Sequence, residues 1–121
     1  MPHKCIPDAV IYTGTHDTPT FVEWLFAIAS EDQRRYAIDY LRLRDDEGYG
    51  WGVIAGAWGS VCNLAMAPLQ DVLGLGGDAR MNLPGSMGEH NWSWRVRREA
   101  FNDNVAQKLR HLTWLYGRLH Q

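Results

Sequence analysis

The sequence predicts an α/β fold in which two buried strands are joined by helices. Two short apolar segments, residues 9–13 and 64–67, have the length and composition of buried strands. Apolar residues recur at helical spacing between these two segments, and again near the end of the chain. A strand–helix–strand order predicts parallel strands with a right-handed crossover. Because two parallel strands are too few for a complete sheet, the sequence indicates an excerpt from a larger α/β protein.

The first helix follows a short polar segment, residues 14–17, and has two candidate starting points. One is Thr18, with Pro19 at the first helical position, where the missing N–H does no harm. The other is Thr20, because Glu23 stands three residues later at capping-box spacing. Both starts remain open from the residues alone.

The other helices are predicted from capping residues and apolar spacing. Ser30 starts the second helix, because Gln33 occupies the reciprocal capping-box position. The last helix starts near Asn102 or Asp103. The apolar positions that share a face are, helix by helix, Phe21, Trp24, Leu25 and Ile28; Tyr36, Tyr40 and Leu43; Trp51, Ile54, Trp58 and Val61; and Val105, Leu109, Leu112, Tyr116 and Leu119.

The segment after the second strand is predicted to be mostly loop. Residues 70–75 predict one helical turn, and residues 82–91 contain the proline and glycines typical of a loop. Residues 91–95 alternate as a strand does, although an aromatic loop gives the same pattern.

Composition argues against nucleic-acid binding and against membrane insertion. The 121 residues include 12 Lys and Arg against 14 Asp and Glu, so the net charge is −2 and there is no basic excess. The longest apolar run, residues 51–62, is interrupted by glycines and too short to span a bilayer. The start of the chain does not resemble a signal peptide. Cys5 and Cys62 lie outside any Cys-x-x-Cys motif, so we expect two free thiols in the cytoplasm, with a disulfide as the alternative.

Polar chemistry is concentrated where the first predicted strand ends. His16 and Asp17 follow that strand directly, and α/β barrels carry their catalytic groups at the carboxyl ends of the strands. A carboxylate beside a histidine there can act as an acid, a base or a clamp on substrate hydroxyls. The alternatives are that Asp17 caps the following helix and that His16 is a structural histidine. The residues alone leave both interpretations open.

Other candidate groups have weaker patterns. Asp71 and Glu89 are carboxylates on predicted loops, with a solvated surface position favoured for Glu89. Trp92 and Trp94 can stack on sugar rings or anchor their loop. No cofactor is expected and no metal site is predicted, because no second pair with ligand spacing follows His3 and Cys5.

Three longer motifs point to one family, in order and over nearly the whole chain. They are Val-Ile-Tyr-Thr-Gly-Thr-His-Asp at residues 10–17, Pro-Leu-Gln-Asp-Val-Leu-Gly-Leu-Gly at residues 68–76, and Ala-Arg-Met-Asn-Leu-Pro-Gly at residues 79–85 with Asn-Trp-Ser-Trp-Arg at residues 91–95. They resemble segments of the 4-alpha-glucanotransferases, the amylomaltase or disproportionating-enzyme family, glycoside hydrolase family 77. The resemblance implies that residues 1–121 are a single partial domain: the helix-rich C-terminal fragment of a (β/α)8 TIM barrel, with its last two strands and mostly helical connections.

The resemblance also implies an activity and residues that serve it. The family transfers α-1,4-glucan segments with retention, through a glycosyl-enzyme intermediate, and uses three acids. Its third acid, an aspartate that stabilises the transition state, falls on Asp17, and a sugar-binding histidine falls on His16. Asn82 and Trp92 are further candidate substrate contacts. No segment resembles those that carry the nucleophile and the acid/base, and residues 18–19 read Thr-Pro where family members often have Asn-Asp.

The chain alone is therefore expected to be inactive as a glycosyltransferase. The implied partners are α-1,4-glucans and maltooligosaccharides, together with the missing N-terminal portion of the barrel or a second copy of the chain. Two alternatives to an enzyme fragment are a non-catalytic glucan-binding module and the partner subunit of a split barrel.

Overall fold

The computed structural model of the chain describes residues 1–100 and 102–120. Its strands and helices are, in chain order, β1 (Val10–Tyr12), α1 (Phe21–Glu23) with a π-helical continuation (Trp24–Ile28), α2 (Glu31–Leu41), α3 (Tyr49–Trp58), β2 (Leu64–Met66), α4 (Leu69–Val72) and α5 (Asp103–Leu115). Short 3-10 turns lie at Pro2–Lys4, Gly77–Ala79 and Arg98–Ala100. The predicted order of strand, helices, strand and final helix is confirmed. None of the helices described is long and apolar enough to cross a membrane.

β1 and β2 form a two-stranded parallel sheet, as the sequence predicts. Val10 lies opposite Leu64, and Tyr12 lies opposite Met66. The N–H of Thr13 lengthens the ladder by donating to the carbonyl of Met66 at 3.1 Å. Because side chains alternate along a strand, the four paired residues share one face of the sheet. All four are about half exposed, so this apolar face lacks a cover within the described part of the chain.

Capping side chains start α1, α2 and α5 where the sequence predicts them. The Thr20 hydroxyl accepts a hydrogen bond from the N–H of Glu23 at 3.2 Å, so α1 begins after Thr20 and not at Thr18. Both hydrogen bonds of the capping box between Ser30 and Gln33 are present, at 2.9 and 3.2 Å. α5 begins behind a capping asparagine in the same way.

Two apolar clusters hold the helices together. The first contains Phe21, Leu25, Ala37 and Leu43, and the second contains Trp51, Ile54 and Val72. α5 packs on the second cluster through Val105, Leu109 and Leu112. Val53 on α3 packs against both clusters, so α3 is the central helix. It contacts α1, α4 and β2, the elements that border the carboxyl ends of the strands.

The prediction that Ile28 is a core residue is wrong, because the helix becomes a π-helix from Trp24 onward. The N–H of Ala29 donates to the carbonyl of Trp24 at 2.7 Å, which is the i to i+5 bond of a π-helix. This wider turn alters the angular spacing of side chains after Trp24. Leu25 is therefore fully buried while Ile28 is exposed.

Three other residues predicted to be in the core are exposed, because their helix ends before them or buries a different face. Tyr36 is exposed, since α2 buries Ala37 instead. Val61 is exposed because α3 ends before it, and Tyr116 is exposed because α5 ends at the residue before. Residues 91–95 form a turn and an irregular segment and not a strand.

Candidate functional site

Two polar segments meet at the carboxyl end of the sheet. Residues 13–20 follow β1 and lead into α1, while residues 67–71 follow β2 and form the start of α4. Because the strands are parallel, both segments emerge at the same edge, which is where α/β proteins place their ligands. A pocket of about 110 Å³ lies between them. It is lined by Thr15, His16, Thr18, Pro19, Thr20, Pro68, Gln70, Asp71, Arg80 and Met81.

Asp17 is held on both of its carboxylate oxygens. Its Oδ2 lies 3.1 Å from Nε2 of His16, and its Oδ1 accepts a hydrogen bond of 2.6 Å from the side-chain amide of Asn82. The side chain is still 51% exposed, and each carboxylate oxygen has a second lone pair. Asp17 can therefore accept hydrogen bonds from ligand hydroxyls without giving up its orientation.

Asp17 does not cap the helix that follows it. The capping hydroxyl of α1 belongs to Thr20, and the first N–H of that helix, at Phe21, donates to Asp71. The capping interpretation of Asp17 is therefore wrong. The exposed carboxylate has no role at the start of the helix and lies beyond the carboxyl end of β1.

His16 lies against an aromatic ring from the distant loop. The imidazole and the indole of Trp92 have ring centroids 4.9 Å apart at an interplanar angle of 39°. Trp92 has a φ of +60°, a left-handed conformation that a bulky residue adopts only when its surroundings enforce it. Both rings are about half exposed, so they form a solvent-accessible aromatic surface next to Asp17.

The loop that carries Asn82 and Trp92 is fixed by side-chain hydrogen bonds. Arg80 donates from Nη2 to the backbone carbonyl of Asp17 and from Nε to the backbone carbonyl of Asn82, each at 2.9 Å. Asn91 accepts from the N–H of Leu83 at 3.0 Å. The four predicted site residues, from the first and the third of the three motifs, thus meet in one cluster. Arg80 was not among the predicted site residues, although it stands two positions before Asn82 in the same motif.

The prediction that Asp71 is a loop carboxylate is wrong. It lies on α4 and is 1% exposed at the base of the pocket. Its Oδ2 accepts from the Thr13 hydroxyl at 2.7 Å, and its Oδ1 accepts from the N–H of Phe21 at 2.8 Å. Burial raises the pKa of the Asp71 carboxyl above its ordinary value, and these two hydrogen bonds act in the opposite direction. Glu89 is exposed, as predicted.

The described residues contain no group of three or more His, Cys, Asp or Glu side chains that could hold a metal ion. His3 contacts the phenol of Tyr40. Both cysteines are free thiols, as predicted, and Cys5 lies within hydrogen-bonding reach of Cys62, which raises the pKa of the Cys5 thiol.

Comparison with known proteins identifies the family to which this chain belongs. A family model described as 4-alpha-glucanotransferase, that of glycoside hydrolase family 77, matches residues 1–101. The chain belongs to the 4-alpha-glucanotransferase family.

Individual relatives agree with this assignment. The chain is 42% identical to the 4-alpha-glucanotransferase of Clostridium butyricum over 98% of its length, and 49% identical to that of Synechocystis sp. over 92%. It covers 24% and 22% of those two proteins. The chain also superposes on the amylomaltase from Streptococcus agalactiae in complex with acarbose, with a TM-score of 0.92 and 30% identity, covering 99% of this chain and 24% of that one. It therefore spans about a quarter of the length of these relatives.

Proposed function

We propose that this chain is the C-terminal quarter of a 4-alpha-glucanotransferase that transfers α-1,4-glucan segments between maltooligosaccharides. The observation that carries the proposal is the half-exposed Asp17 carboxylate at the end of β1, held by His16 and Asn82. The family match over residues 1–101 supports the reaction class. The likeness to an amylomaltase solved in complex with acarbose supports a carbohydrate ligand.

The apolar face of the sheet supports a (β/α)8 barrel as the complete domain. Val10, Tyr12, Leu64 and Met66 form a half-exposed apolar face, and Ile11 and Ala65 between them lie on the opposite face of the sheet. In a barrel, one face of every strand fills the interior and the other packs under helices. We assign these four residues to the interior, and β1 and β2 to the last two barrel strands.

Asp17 is the transition-state stabiliser in this proposal. Retaining transfer uses a nucleophile and an acid/base about 5–5.5 Å apart across the scissile bond. At the two strand ends described, Asp17 is the carboxylate that faces solvent while Asp71 is buried, so nucleophile and acid/base belong to the rest of the enzyme. Asp17 accepts hydrogen bonds from hydroxyls of the distorted sugar and stabilises the developing oxocarbenium charge.

The neighbours of Asp17 hold the substrate and the carboxylate together. His16 and Asn82 orient the carboxylate and keep polar atoms within reach of the same sugar hydroxyls. Trp92 offers an indole surface on which the apolar face of a sugar ring can stack. Because Cys5 and Cys62 are free thiols, a reducing cytoplasm is the compartment that suits the protein.

The test uses the complete enzyme, meaning this chain joined to the remaining length found in its relatives. Incubated with maltotriose, the complete enzyme should form longer and shorter maltooligosaccharides with retained anomeric configuration, as chromatography and NMR of initial products will show. The isolated chain should form none. Asp17→Asn should lower kcat of the complete enzyme by about 10²–10³-fold with a smaller change in KM. Asp39→Asn, at an exposed position on α2, is the matched control and should leave kcat unchanged.

Two results would reject this function. One is transfer by the isolated chain that survives repeated purification, since the nucleophile would then have to lie within it. The other is a normal kcat for Asp17→Asn in the complete enzyme. Saturable binding of maltooligosaccharide by the isolated chain, without transfer by the complete protein, would favour a glucan-binding module instead.

A further inference from the structure

One buried carboxylate holds both ends of the segment that carries His16 and Asp17. At the N-terminal end, the Thr13 hydroxyl donates to Oδ2 of Asp71 at 2.7 Å. At the C-terminal end, the N–H of Phe21 donates to Oδ1 of the same carboxylate at 2.8 Å. Residues 14–20 therefore form a loop whose two ends are separated by the width of one carboxylate group and its hydrogen bonds.

The position of Asp71 is set by helix packing and not by the loop. Its side chain is 1% exposed, and its N–H donates to the carbonyl of Pro68 at 3.0 Å. The backbone of α3 lies directly against it, since a Cβ added at Gly50 would fall 1.9 Å from the Asp71 carbonyl oxygen. Only glycine allows this approach. α3 and α4 thus form a rigid support, and the carboxylate extends from it to the loop.

Hydrogen bonds within the loop, between Thr15 and Thr18, also hold the residues between its two ends. The Thr18 hydroxyl accepts from the N–H of Thr15 at 2.8 Å and donates to the Thr15 carbonyl at 3.0 Å. A Cβ added at Gly14 would lie 3.0 Å from the Thr18 hydroxyl and 3.5 Å from Oδ2 of Asp71. His16 and Asp17 are therefore carried on a small turn that rests on the Asp71 carboxylate.

A carboxylate suits this position for two physical reasons. Hydrogen bonds to an ionised group are shorter and stronger than those between neutral groups, and both oxygens of Asp71 are used. A negative charge is also favourable beside the unsatisfied N–H groups at the start of a helix, here at Phe21.

We infer that Asp71 is a positioning residue for transfer: by holding Thr13 and Phe21, it sets where the Asp17 carboxylate meets the sugar. The inference rests on the proposed function of Asp17. A displacement of about 1 Å in a reacting constellation can lower the rate by about 10²-fold. The effect of Asp71 should therefore appear mainly in kcat, although the side chain does not contact substrate.

The decisive variants remove one of the two hydrogen bonds to Asp71, the one from Thr13, in the complete enzyme. Thr13→Val removes the hydroxyl donor and preserves side-chain shape, and should lower kcat by about 10- to 100-fold while KM changes less. Thr13→Ser keeps the hydroxyl and should restore most of the activity. Thr113→Val is the matched control, because that half-buried hydroxyl accepts from the Trp58 indole N–H at 3.1 Å, on the α3–α5 contact. It should lower the melting temperature and leave kcat unchanged.

The carboxylate itself gives a second pair of variants. Asp71→Asn keeps the shape and both bonds, since the amide oxygen still accepts from Phe21 and the Thr13 hydroxyl can turn to accept. It should retain kcat within a few-fold. Asp71→Ala removes both bonds and should lower kcat by about 10²-fold. If Asp71→Ala does not fold, the Thr13 variants still decide the question.

The outcomes separate the inference from the proposed function. Equal and small effects of Thr13→Val and Thr113→Val on kcat, with equal losses of melting temperature, would overturn the positioning role. A low kcat for Asp17→Asn together with a normal kcat for Thr13→Val would overturn the inference and leave the proposed function standing. A normal kcat for Asp17→Asn would overturn both.

Discussion

The side-chain amide of Asn82 donates a hydrogen bond of 2.6 Å to the carboxylate of Asp17, across 65 positions of sequence. This bond joins the segment after β1 to the loop after β2. Arg80 reinforces the connection by binding the backbone carbonyls of both residues. The orientation of Asp17 therefore depends on two loops, and each can be tested separately.

A second carboxylate at position 82 should lower kcat at neutral pH and let it recover as the pH is lowered. In Asn82→Asp, two carboxylates would meet at hydrogen-bonding distance, and like charges that close share a proton at a raised pKa. We expect kcat at neutral pH to fall by about tenfold or more. The ratio of variant to wild-type kcat should rise as the pH is lowered and the pair takes up its proton.

The control for this charge change is Asn104→Asp, at an exposed position on α5. It should follow the wild-type pH profile of kcat throughout. A variant at Asn82 with wild-type kcat at neutral pH would show that the contact with Asp17 plays no part in transfer.

Removal of the Trp92 ring should weaken substrate binding more than it slows turnover. Trp92→Ala should raise KM by about 3- to 10-fold, because an aromatic contact of this kind is worth about 0.5–1.5 kcal/mol. Trp92→Phe should keep KM near the wild-type value. Trp114→Ala is the matched control, since Trp114 is equally exposed and lies 5.7 Å from the ring of His111 on α5.

The backbone at Trp92 gives an independent check of the same residue. Its φ of +60° is unfavourable for any residue with a Cβ, so Trp92→Gly should melt at a higher temperature than Trp92→Ala while sharing its raised KM. Equal KM values for wild type and Trp92→Ala would show that the ring only anchors its loop.

Protonation of Asp71 should make stability depend on pH in a predictable direction. Burial raises the pKa of Asp71 in the folded state above the ordinary 3.8. Its proton-linked contribution to stability is then fully present below pH 3.8 and is lost as the pH rises through the raised value. Asp71→Asn has no such titration. The melting temperature of the wild type minus that of Asp71→Asn should therefore fall with rising pH and then level off.

Scanning calorimetry of both complete proteins across the acidic range, in buffers of equal ionic strength, measures this difference. A difference that grows as the pH rises would mean that the hydrogen bonds from Thr13 and Phe21 outweigh burial. The pKa of Asp71 would then lie below its ordinary value.

Features that depend on neighbouring residues were predictable from the sequence. The capping box at Ser30 and the strand at residues 10–12 follow from local patterns, and the motif ending in Asp17 marked the candidate site. The π-helical turn before Ile28 was not predictable, since packing against the core decides it.

The role of Asp71 could not be predicted from the sequence either. Its carboxylate is buried against Thr13 and Phe21, and α3 packs on its backbone at Gly50. These contacts join positions far apart in the chain. The motif at residues 68–76 showed that Asp71 belongs to a recognisable segment, but its exposure depends on how two helices pack.

The uncovered face of the sheet should make the isolated chain associate in solution. Val10, Tyr12, Leu64 and Met66 present four apolar side chains in register, all about half exposed. The strands also carry unpaired backbone groups along their outer edges in the described structure, and such edges readily pair with another chain. Sedimentation across a concentration series should show self-association, and an apolar fluorescent dye should bind.

Placing one charge on this face should reduce both signals. Tyr12→Lys puts an ammonium group on the apolar face and should shift association to higher concentration, because a charge is costly to bury in an apolar contact. Ile28→Lys, at another exposed apolar position, is the control and should associate as the unmodified chain does. A concentration-independent monomer with a cooperative melt and no dye binding would show instead that helices α1 to α5 suffice to stabilise residues 1–121 on their own.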